Sequence, residues 1–290
     1  MTTKRILITG ANSYVGTSFE KWLSQWPDKY HVDTIDMIDG AWRDKSFKGY
    51  DVVFHVAGIA HVSADPSKEE LYYRVNRDLA IEAAQKAKAD SAKQFVFMSS
   101  IIIYGADEPV GKEKIITKDT KPAPADFYGD SKLQADLAIQ KLADDNFIVS
   151  IMRPPVIYGP GCKGNFPKLL KLAKYAFIFP DIDNRRSMIY IDNFCECVRQ
   201  IIDDAKSGIF FPQNEEYVST KDVIIRSRKL AGHGTLRLPC PKFVLNLLSK
   251  NVTFNKAFGS KIYDKALSGY RKYNIVSFRD SLARTDRYAG

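Results

Sequence analysis

Tyr128 and Lys132 lie four residues apart in the run YGDSK. In an α-helix this spacing places the phenol and the ammonium on one face, about one turn apart. We expect the positive charge to lower the pKa of the phenol from roughly 10 toward neutrality, as proton transfer requires. Ser99 and Ser100 end an apolar run that predicts a strand, at the edge where open α/β sheets place their sites. Together these residues predict proton transfer at an oxygen atom of a small substrate.

A glycine-rich turn, TGANSYVG, follows the first apolar run of the chain. Between a strand and a helix, such a turn brings backbone N–H groups and the helix N-terminus close to a pyrophosphate. Asp36 comes twenty residues after Gly16, where a carboxylate would bind the adenosine ribose and repel a 2′-phosphate. This favours NAD over NADP; the alternative is a surface Asp36 in a turn with Asp33 and Asp39. The predicted cofactor-binding residues here are Gly10, Asn12, Ser13, Tyr14, Val15, Gly16 and Asp36.

Short β-rich apolar runs alternate with amphipathic segments through the first half of the chain, which predicts an α/β fold with a parallel sheet. The link over residues 37–51 is too short for a full crossover helix. The predicted strands are residues 6–9, 32–36, 52–56, 95–99 and 148–152, and the predicted helices are residues 15–26, 71–89 and 128–143.

Glycine and proline become frequent after the run RPP at 153–155. This change predicts a first domain over residues 1–158 and a smaller lobe over 159–290, some segments of which return to the first domain. Within the lobe we predict a basic helix over 166–175 and a second helix that continues to residue 230. Thr220 is the expected N-cap of the second helix.

Composition argues against several other classes of protein. The 290 residues are 45% hydrophobic, but no apolar run approaches the ~18 residues that span a bilayer, and the first residues lack a signal-peptide pattern. The four cysteines contain no C-x-x-C pair and the four histidines have no metal-ligand spacing. We therefore expect reduced thiols, no metal and a cytoplasmic location.

Basic residues are concentrated in the second half of the chain. Residues 1–150 carry 19 Lys and Arg against 22 Asp and Glu, whereas residues 151–290 carry 24 against 12. No basic run interleaved with aromatic residues predicts a groove for single strands. We expect neither nucleic acid nor a membrane as a partner, and a bis-anionic diphosphate would account for a few of the positive charges.

Further motifs follow in order along the chain: HVAG (55–58), VNRD with Asn76, SSIIIYG (99–105), RPPVIYGPG (153–161) and NRRSMIYIDN (184–193). With the turn and the YGDSK run, they resemble those of an extended short-chain dehydrogenase/reductase of the nucleotide-sugar epimerase/dehydratase family. The resemblance implies a Rossmann-type doubly wound parallel sheet with a smaller α/β substrate-binding lobe. The second half is similar to bacterial polysaccharide-cluster enzymes that act at carbon 4 of UDP-sugars.

The resemblance also implies roles for single residues. Tyr128 would be the acid/base on the sugar 4-hydroxyl or 4-keto oxygen, Lys132 would hold the nicotinamide ribose, and Ser100 would bind the same sugar oxygen. Arg186 would contact the UDP diphosphate, while its neighbour Arg185 would face solvent. Asn165 would contact the diphosphate or the sugar, or else cap a helix. Tyr128 and Lys132 would also contact the cofactor, together with Ala57, Gly58, Asn76, Ser99 and Pro155.

The family would also imply a homodimer that pairs through the helix carrying Tyr128. Two departures from its pattern matter. Ser13 replaces the middle glycine of the turn, where it would either crowd the pyrophosphate or offer it a hydroxyl. Ile101 and Ile102 stand where sugar 4,6-dehydratases have an Asp-Glu pair, which argues against dehydration and decarboxylation. Ile102 also replaces a hydroxyl residue common in 4-epimerases.

Three functions remain. The first is an NAD-dependent epimerase at carbon 4 of a UDP-hexose, acting through a transient 4-keto sugar. The second is an NAD(P)H-dependent reductase of a UDP-4-keto-6-deoxy sugar, which would use the same Ser100, Tyr128 and Lys132 once per cofactor. The third is a non-catalytic dinucleotide sensor or nucleic-acid binder, against which the intact Ser/Tyr/Lys set argues.

Overall fold

The computed structural model describes residues 3–60, 65–270 and 272–286, with the backbone alone at residues 252 and 253. The strands are β1 (Lys4–Thr9), β2 (Tyr30–Ile35), β3 (Val52–His55), β4 (Gln94–Met98), β5 (Lys114–Ile116), β6 (Ile148–Met152), β7 (Val156–Tyr158), β8 (Ile178–Asp181), β9 (Met188–Tyr190), β10 (Gly208–Phe210), β11 (Leu236–Pro239) and β12 (Lys261–Tyr263). The helices are α1 (Tyr14–Leu23), α2 (Glu69–Tyr72), α3 (Leu79–Ala89), α4 (Phe127–Gln140), α5 (Asn165–Tyr175), α6 (Ile191–Asp203), α7 (Thr220–Leu230), α8 (Lys242–Leu248), α9 (Val252–Phe258) and α10 (Phe278–Asp286).

The described chain divides into two compact units. Unit 1 comprises residues 3–105, 121–154 and 194–212, and unit 2 comprises residues 106–120, 155–193 and 213–286. Unit 1 contains a six-stranded parallel sheet in the order β10-β6-β4-β3-β1-β2. The five predicted strands and the α/β fold class are confirmed. The sixth strand, β10, was not predicted because it is only three residues long.

The sheet of unit 1 is apolar on both faces, as parallel sheets covered by helices usually are. Phe54, Phe95 and Phe97 are fully buried on neighbouring strands. Against one face lies α3, whose inward positions are all alanine, so that the helix backbone can approach the strands closely. The predicted lack of a crossover helix between β2 and β3 is confirmed, since that link contains only a 3-10 turn at Ala41–Asp44.

The helix predicted over residues 71–89 is interrupted. Between α2 and α3, Tyr73–Asp78 forms a π-helix, in which the N–H of Leu79 donates to the carbonyl of Arg74 five residues earlier. Hydrophobic periodicity does not distinguish this extra residue per turn from an ordinary helix. The π-helix carries Asn76, which is fully buried.

Unit 2 contains three two-stranded parallel sheets, β7-β9, β5-β12 and β8-β11. Tyr158 is fully buried in it, stacked on Phe166 with 4.5 Å between ring centroids, and its hydroxyl lies 2.6 Å from Ser281 Oγ. The prediction of Thr220 as an N-cap was wrong by one residue. Ser219 is the N-cap of α7, because its hydroxyl accepts from the N–H of Asp222 in a capping box. Within the described ranges, no helix is long and apolar enough to cross a membrane.

Candidate active site

The Ser100–Tyr128–Lys132 set is built by the end of β4 and the start of α4. Ser100 follows the strand and caps the 3-10 turn at Ile101–Tyr104, with its Oγ accepting from the N–H of Ile102 at 3.3 Å. Asp126 caps α4 by accepting from the N–H of Gly129 at 2.8 Å. A Cβ at Gly129 would lie 3.0 Å from the carbonyl oxygen of Ile102, so the helix start packs tightly on the turn. The Tyr128 phenol and the Ser100 hydroxyl are thereby brought close enough to interact.

Burial sets the pKa values of both titratable groups in this set. Desolvation raises the pKa of the Tyr128 phenol to about 12, and the hydrogen bond with Ser100 offsets only part of that effect. Desolvation also lowers the pKa of the Lys132 ammonium to about 8, against the opposing charge of Asp136. The predicted lowering of the Tyr128 pKa toward neutrality was therefore wrong for this environment, where desolvation outweighs the favourable interactions.

The Lys132 ammonium points back into the sheet edge of unit 1. Its Nζ donates to the carbonyl of Met98 at 2.9 Å. A Cβ at Gly58 would lie 3.2 Å from this Nζ and 3.0 Å from Asn76 Oδ1, so both side chains would have to shift slightly to admit a larger residue. The Asn76 amide in turn accepts from the N–H of Ile59 at 2.9 Å and donates to its carbonyl at 3.1 Å. The structure therefore brings together Gly58, Asn76 and Lys132, which lie far apart in the sequence.

A buried network lies one turn further along α4. Asp136 is fully buried and accepts from Ser99 Oγ at 2.6 Å. Arg153 forms a two-pronged pair with the same carboxylate at 2.9 and 2.8 Å, and Gln140 adds a third donor at 2.6 Å. Arg153 also donates to the hydroxyl of Tyr104 at 2.8 Å. The network ties α4, which carries Lys132, to the end of β4, where the two serines lie, and to the end of β6.

Sequence reasoning did not single out Asp136 or Arg153 as parts of the site. The signal was present, since Asp136 follows Lys132 by one more helical turn and Arg153 opens the RPPVIYGPG run. The sequence alone does not show that Asp136 and Arg153, which are 17 residues apart, form an ion pair; the fold brings them together.

The glycine-rich turn connects β1 to α1 as predicted. Gly10 has a φ of 103°, and a Cβ there would lie 2.7 Å from the backbone N of Ala57, so both conformation and space require glycine. Ser13 is the N-cap of α1, and its Oγ accepts from the N–H of Gly16 at 3.1 Å. The Ser13 hydroxyl thus caps the helix, a role that the sequence alone did not suggest.

The remaining residues predicted to hold the cofactor differ in exposure. Asp36 is exposed just after β2, and its carboxylate also accepts from the N–H of Ile38 at 2.9 Å. Ala57 and Ser99 are buried at the ends of neighbouring strands. Pro155 is buried in unit 2. The glycine turn, the start of α1 and the exposed carboxylate of Asp36 suit a dinucleotide with a free ribose 2′-hydroxyl.

Arg186 lies in unit 2 and has most of its hydrogen-bonding capacity in use. Its guanidinium donates to the carbonyls of Gly259 at 3.0 Å and Lys256 at 2.6 Å, and pairs with Asp107 at 2.9 Å. Lys261 shares the Asp107 carboxylate at 3.0 Å. Burial lowers the pKa of both cations, and Asp107 counteracts that effect. Sequence reasoning did not single out Lys261, which comes from a segment 75 residues further along the chain.

The other two predicted residues of unit 2 are exposed. Asn165 is the first residue of α5, and Gly164 rather than Asn165 occupies the N-cap position. Arg185 is exposed and pairs with Glu113, with Nε donating at 2.7 Å. Across the described part of the chain, no group of three or more His, Cys, Asp or Glu side chains could hold a metal ion.

The chain is similar to known proteins in both sequence and fold. Residues 6–211 match the model of the NAD-dependent epimerase/dehydratase family. A UDP-glucose 4-epimerase of Vibrio cholerae is 30% identical over 96% of this chain and 90% of its own length.

Solved structures resemble the whole chain at lower identity. A UDP-glucuronic acid 4-epimerase from Bacillus cereus in complex with NAD has a TM-score of 0.74 at 19% identity, covering 98% of this chain and 96% of its own. A dTDP-4-dehydrorhamnose reductase from Clostridium acetobutylicum has the same score and identity, covering 96% and 97%. At these identities the likeness establishes the Rossmann-type fold.

The family match covers well over half of the chain and includes the glycine turn, the serines and the YGDSK run. The protein is an enzyme, and its cofactor is NAD. The resemblance read from the sequence motifs is confirmed: the chain belongs to the NAD-dependent epimerase/dehydratase family.

Proposed function

We propose that the protein is an NAD-dependent epimerase that inverts carbon 4 of a UDP-hexose through a transient 4-keto sugar. The observation that carries the proposal is the approach of the Tyr128 phenol to the Ser100 hydroxyl at the carboxyl end of the sheet, with Lys132 one turn away on the same helix. Two hydroxyl groups that converge in this way can bind one substrate oxygen. The V. cholerae relative, a UDP-glucose 4-epimerase, supports the choice of reaction.

In this proposal Tyr128 accepts the proton of the sugar 4-hydroxyl and returns it later. Ser100 donates to the same oxygen as it becomes a ketone, which stabilises the developing charge. Lys132 holds the nicotinamide ribose, and its positive charge favours the ionised phenol once the ammonium is within reach of it. Bound NAD supplies the hydride acceptor and donor.

The cofactor-binding part of the proposal uses the turn from Gly10 to Gly16, together with Asp36, Gly58 and Asn76. Gly10 permits a close approach of backbone to the pyrophosphate, and Asp36 accepts from the adenosine ribose. Because a carboxylate repels a 2′-phosphate, Asp36 also supports NAD rather than NADP.

The neighbours of Ser100 narrow the reaction further. Ile101 is buried and Ile102 is apolar, so no carboxylate follows Ser100 to move protons at carbons 5 and 6 of a sugar. Elimination of water needs such an acid/base, whereas inversion at carbon 4 does not. This supports an epimerase or a ketoreductase over a dehydratase.

For the substrate we infer that a UDP diphosphate binds near Arg186 in unit 2. Arg186 and Lys261 both pair with Asp107, and a phosphate could take over part of that contact. Asn165, exposed at the start of α5, is a further candidate for the sugar or the diphosphate. By family resemblance the proposal extends to a cytoplasmic homodimer with a role in polysaccharide biosynthesis.

The alternative is a reductase of a UDP-4-keto-6-deoxy sugar. The likeness to the dTDP-4-dehydrorhamnose reductase of C. acetobutylicum supports it, because the same Ser/Tyr/Lys set serves reduction. An epimerase must keep its cofactor through the cycle, whereas a reductase must exchange it.

Retention of the cofactor by the purified protein distinguishes an epimerase from a reductase. The purified protein is denatured and the supernatant assayed for NAD, while native protein is incubated with UDP-glucose and with UDP-N-acetylglucosamine without added cofactor. Stoichiometric NAD together with formation of the 4-epimer is the expected result. A cofactor-free protein that converts neither sugar, but oxidises NADH with a UDP-4-keto-6-deoxy sugar, would establish the reductase instead.

A further inference from the structure

Unit 2 carries an apolar face that remains exposed to solvent. It comprises seven side chains from the end of α5, from β8 and β11, and from α8: Tyr175, Phe177, Ile178, Leu236, Leu238, Phe243 and Leu247. Phe243 is 74% exposed and Leu236 is 60% exposed. Single exposed apolar residues are normal on a protein surface, but a cluster of large ones marks an interaction site. We refer to these seven side chains as the lobe face.

The register of the small sheet explains why part of the lobe face points outward. Leu236 pairs with Ile178 and Leu238 with Pro180, so these four side chains share one side of the two-stranded sheet. Phe179 projects from the other side and is buried in the apolar core of unit 2. The outward side of the sheet is therefore apolar although the core is already closed on the inward side.

Helix α8 continues the lobe face on the same core. Leu245 packs against the cluster that contains Phe179, whereas Phe243 and Leu247, four residues apart, share an exposed side of the helix. Among its described side chains α8 has no buried residue. A helix that turns two large apolar side chains to solvent while a third anchors it is built to contact something else.

Most of the charges around the lobe face are positive. Residues 163–180 contain four Lys and no acidic residue, and residues 223–263 contain eight Lys and Arg, of which Arg228 and Lys261 are buried, and no acidic residue. Asp181, at the end of β8, is acidic and pairs with Lys221 and Arg237. Lys168 and Lys171 are exposed on α5, beside Leu172 and Tyr175, and Lys242 and Lys250 flank α8. The excess of basic residues in the second half of the sequence is thus concentrated around an apolar surface.

We propose that the lobe face docks the protein onto the surface of an anionic lipid bilayer. Apolar side chains that enter the headgroup region, with lysines around them for anionic lipids, are the requirements for peripheral membrane binding. The expectation of no membrane partner rested on the lack of a long apolar run, and a surface assembled from α5, β8, β11 and α8 gives no such run.

Two other occupants fit the face less well. A second copy of the chain would bring two strongly basic surfaces together, and like charges disfavour such an interface. A nucleic acid would satisfy the lysines and could stack bases on Tyr175, Phe177 and Phe243, but it would leave the other four side chains of the face, which are aliphatic, without an apolar partner. An anionic bilayer satisfies both the charge and the apolar area.

Vesicle flotation with the full chain tests the proposal. Wild-type protein is mixed with phosphatidylcholine vesicles, and with vesicles that also contain phosphatidylglycerol, at low and high salt. We expect binding only to the anionic vesicles and weaker binding at high salt, because screening reduces the attraction of the lysines. Lys171→Glu should reduce the partition coefficient by about fivefold or more, and the double variant Phe243→Ser/Leu247→Ser by at least about tenfold.

Matched controls use exposed residues outside the face. Lys21→Glu on α1 and Ile275→Ser in unit 2 should bind anionic vesicles as the wild type does, and circular dichroism checks that each variant is folded. Failure of the wild type to bind anionic vesicles would overturn the proposal, as would equal losses in the variants and the controls. If sedimentation shows instead that Phe243→Ser/Leu247→Ser converts a dimer to a monomer while vesicles stay unbound, the face is a subunit interface.

Discussion

The two units hold their functional polar groups in different ways. In unit 1, Ser100, Lys132 and Asn76 lie at the ends of parallel strands or on the helices beside them, and each has a partner inside the unit. In unit 2, Arg186 and Lys261 meet at Asp107, which comes from a third, distant segment. A parallel sheet gathers successive strand ends at one edge, so motif order predicts proximity there. Unit 2 is assembled from separate segments, so the order of motifs along the chain does not predict which of its side chains meet.

The largest expected effect is on catalysis by the polar set of unit 1. Tyr128→Phe removes the only atom of this side chain that can transfer a proton, so we expect kcat to fall by roughly 10²- to 10⁴-fold with NAD still bound. The measurement is turnover of UDP-glucose and UDP-N-acetylglucosamine together with the NAD content of the variant. Tyr50→Phe, which removes a phenol bonded to Asp33 elsewhere in unit 1, is the control and should retain turnover. Near-normal turnover of Tyr128→Phe would remove the central assignment.

A smaller effect concerns stability. Asp136→Asn leaves the Arg153 guanidinium buried without its counter-charge, so the free energy of unfolding should fall by about 3–5 kcal/mol. Glu113→Gln in unit 2 breaks the solvent-screened pair with Arg185 and should cost about 0–1 kcal/mol. Urea unfolding of both variants measures the contrast. Equal losses would mean that the polar network of unit 1 is no more important than a surface pair.

The smallest effect concerns the glycine turn. Because the Ser13 hydroxyl caps α1, Ser13→Ala should cost about 0.5–2 kcal/mol, whereas Ser13→Gly should cost only a few tenths. Ser13→Gly also restores the middle glycine of the family pattern, and we expect its NAD affinity to stay within about twofold of the wild type. Thermal unfolding and calorimetric titration with NAD measure the two quantities. A tenfold gain in affinity would show that the serine crowds the pyrophosphate after all.

Sequence reasoning predicted the framework of unit 1 well for a physical reason. Four of its five longer strands contain apolar runs bounded by turn residues, and the short link after β2 excluded a helix there by length alone. The three-residue strand β10 lacks enough residues to show a pattern. The Thr220 cap was missed by one position because Ser219 and Thr220 carry the same hydroxyl, and only the contact with Asp222 distinguishes them.

The sequence predicted which helix or strand carries a side chain better than it predicted how deeply that side chain is buried. It placed Tyr128 and Lys132 on one helix face, but the direction of the Tyr128 pKa shift depends on how completely the fold desolvates the phenol. The sequence likewise did not predict that β8 and β11 form an apolar outward side, because residues 178 and 236 become neighbours only through strand pairing. Local spacing determines which groups share an element, and packing determines what each group experiences.

Because of the π-helix at Tyr73–Asp78, the position of the Asn76 side-chain amide depends on the number of residues in the segment before it. Each residue of an α-helix turns the chain by about 100°, so removing one residue upstream of Asn76 and relaxing the segment to α-helix would rotate that side chain by about a quarter turn. Its two bonds to the backbone of Ile59 could not both survive such a rotation. The segment therefore tolerates substitution more readily than a change of length, and a single-residue insertion or deletion between β3 and α3 would act like a mutation of Asn76 itself.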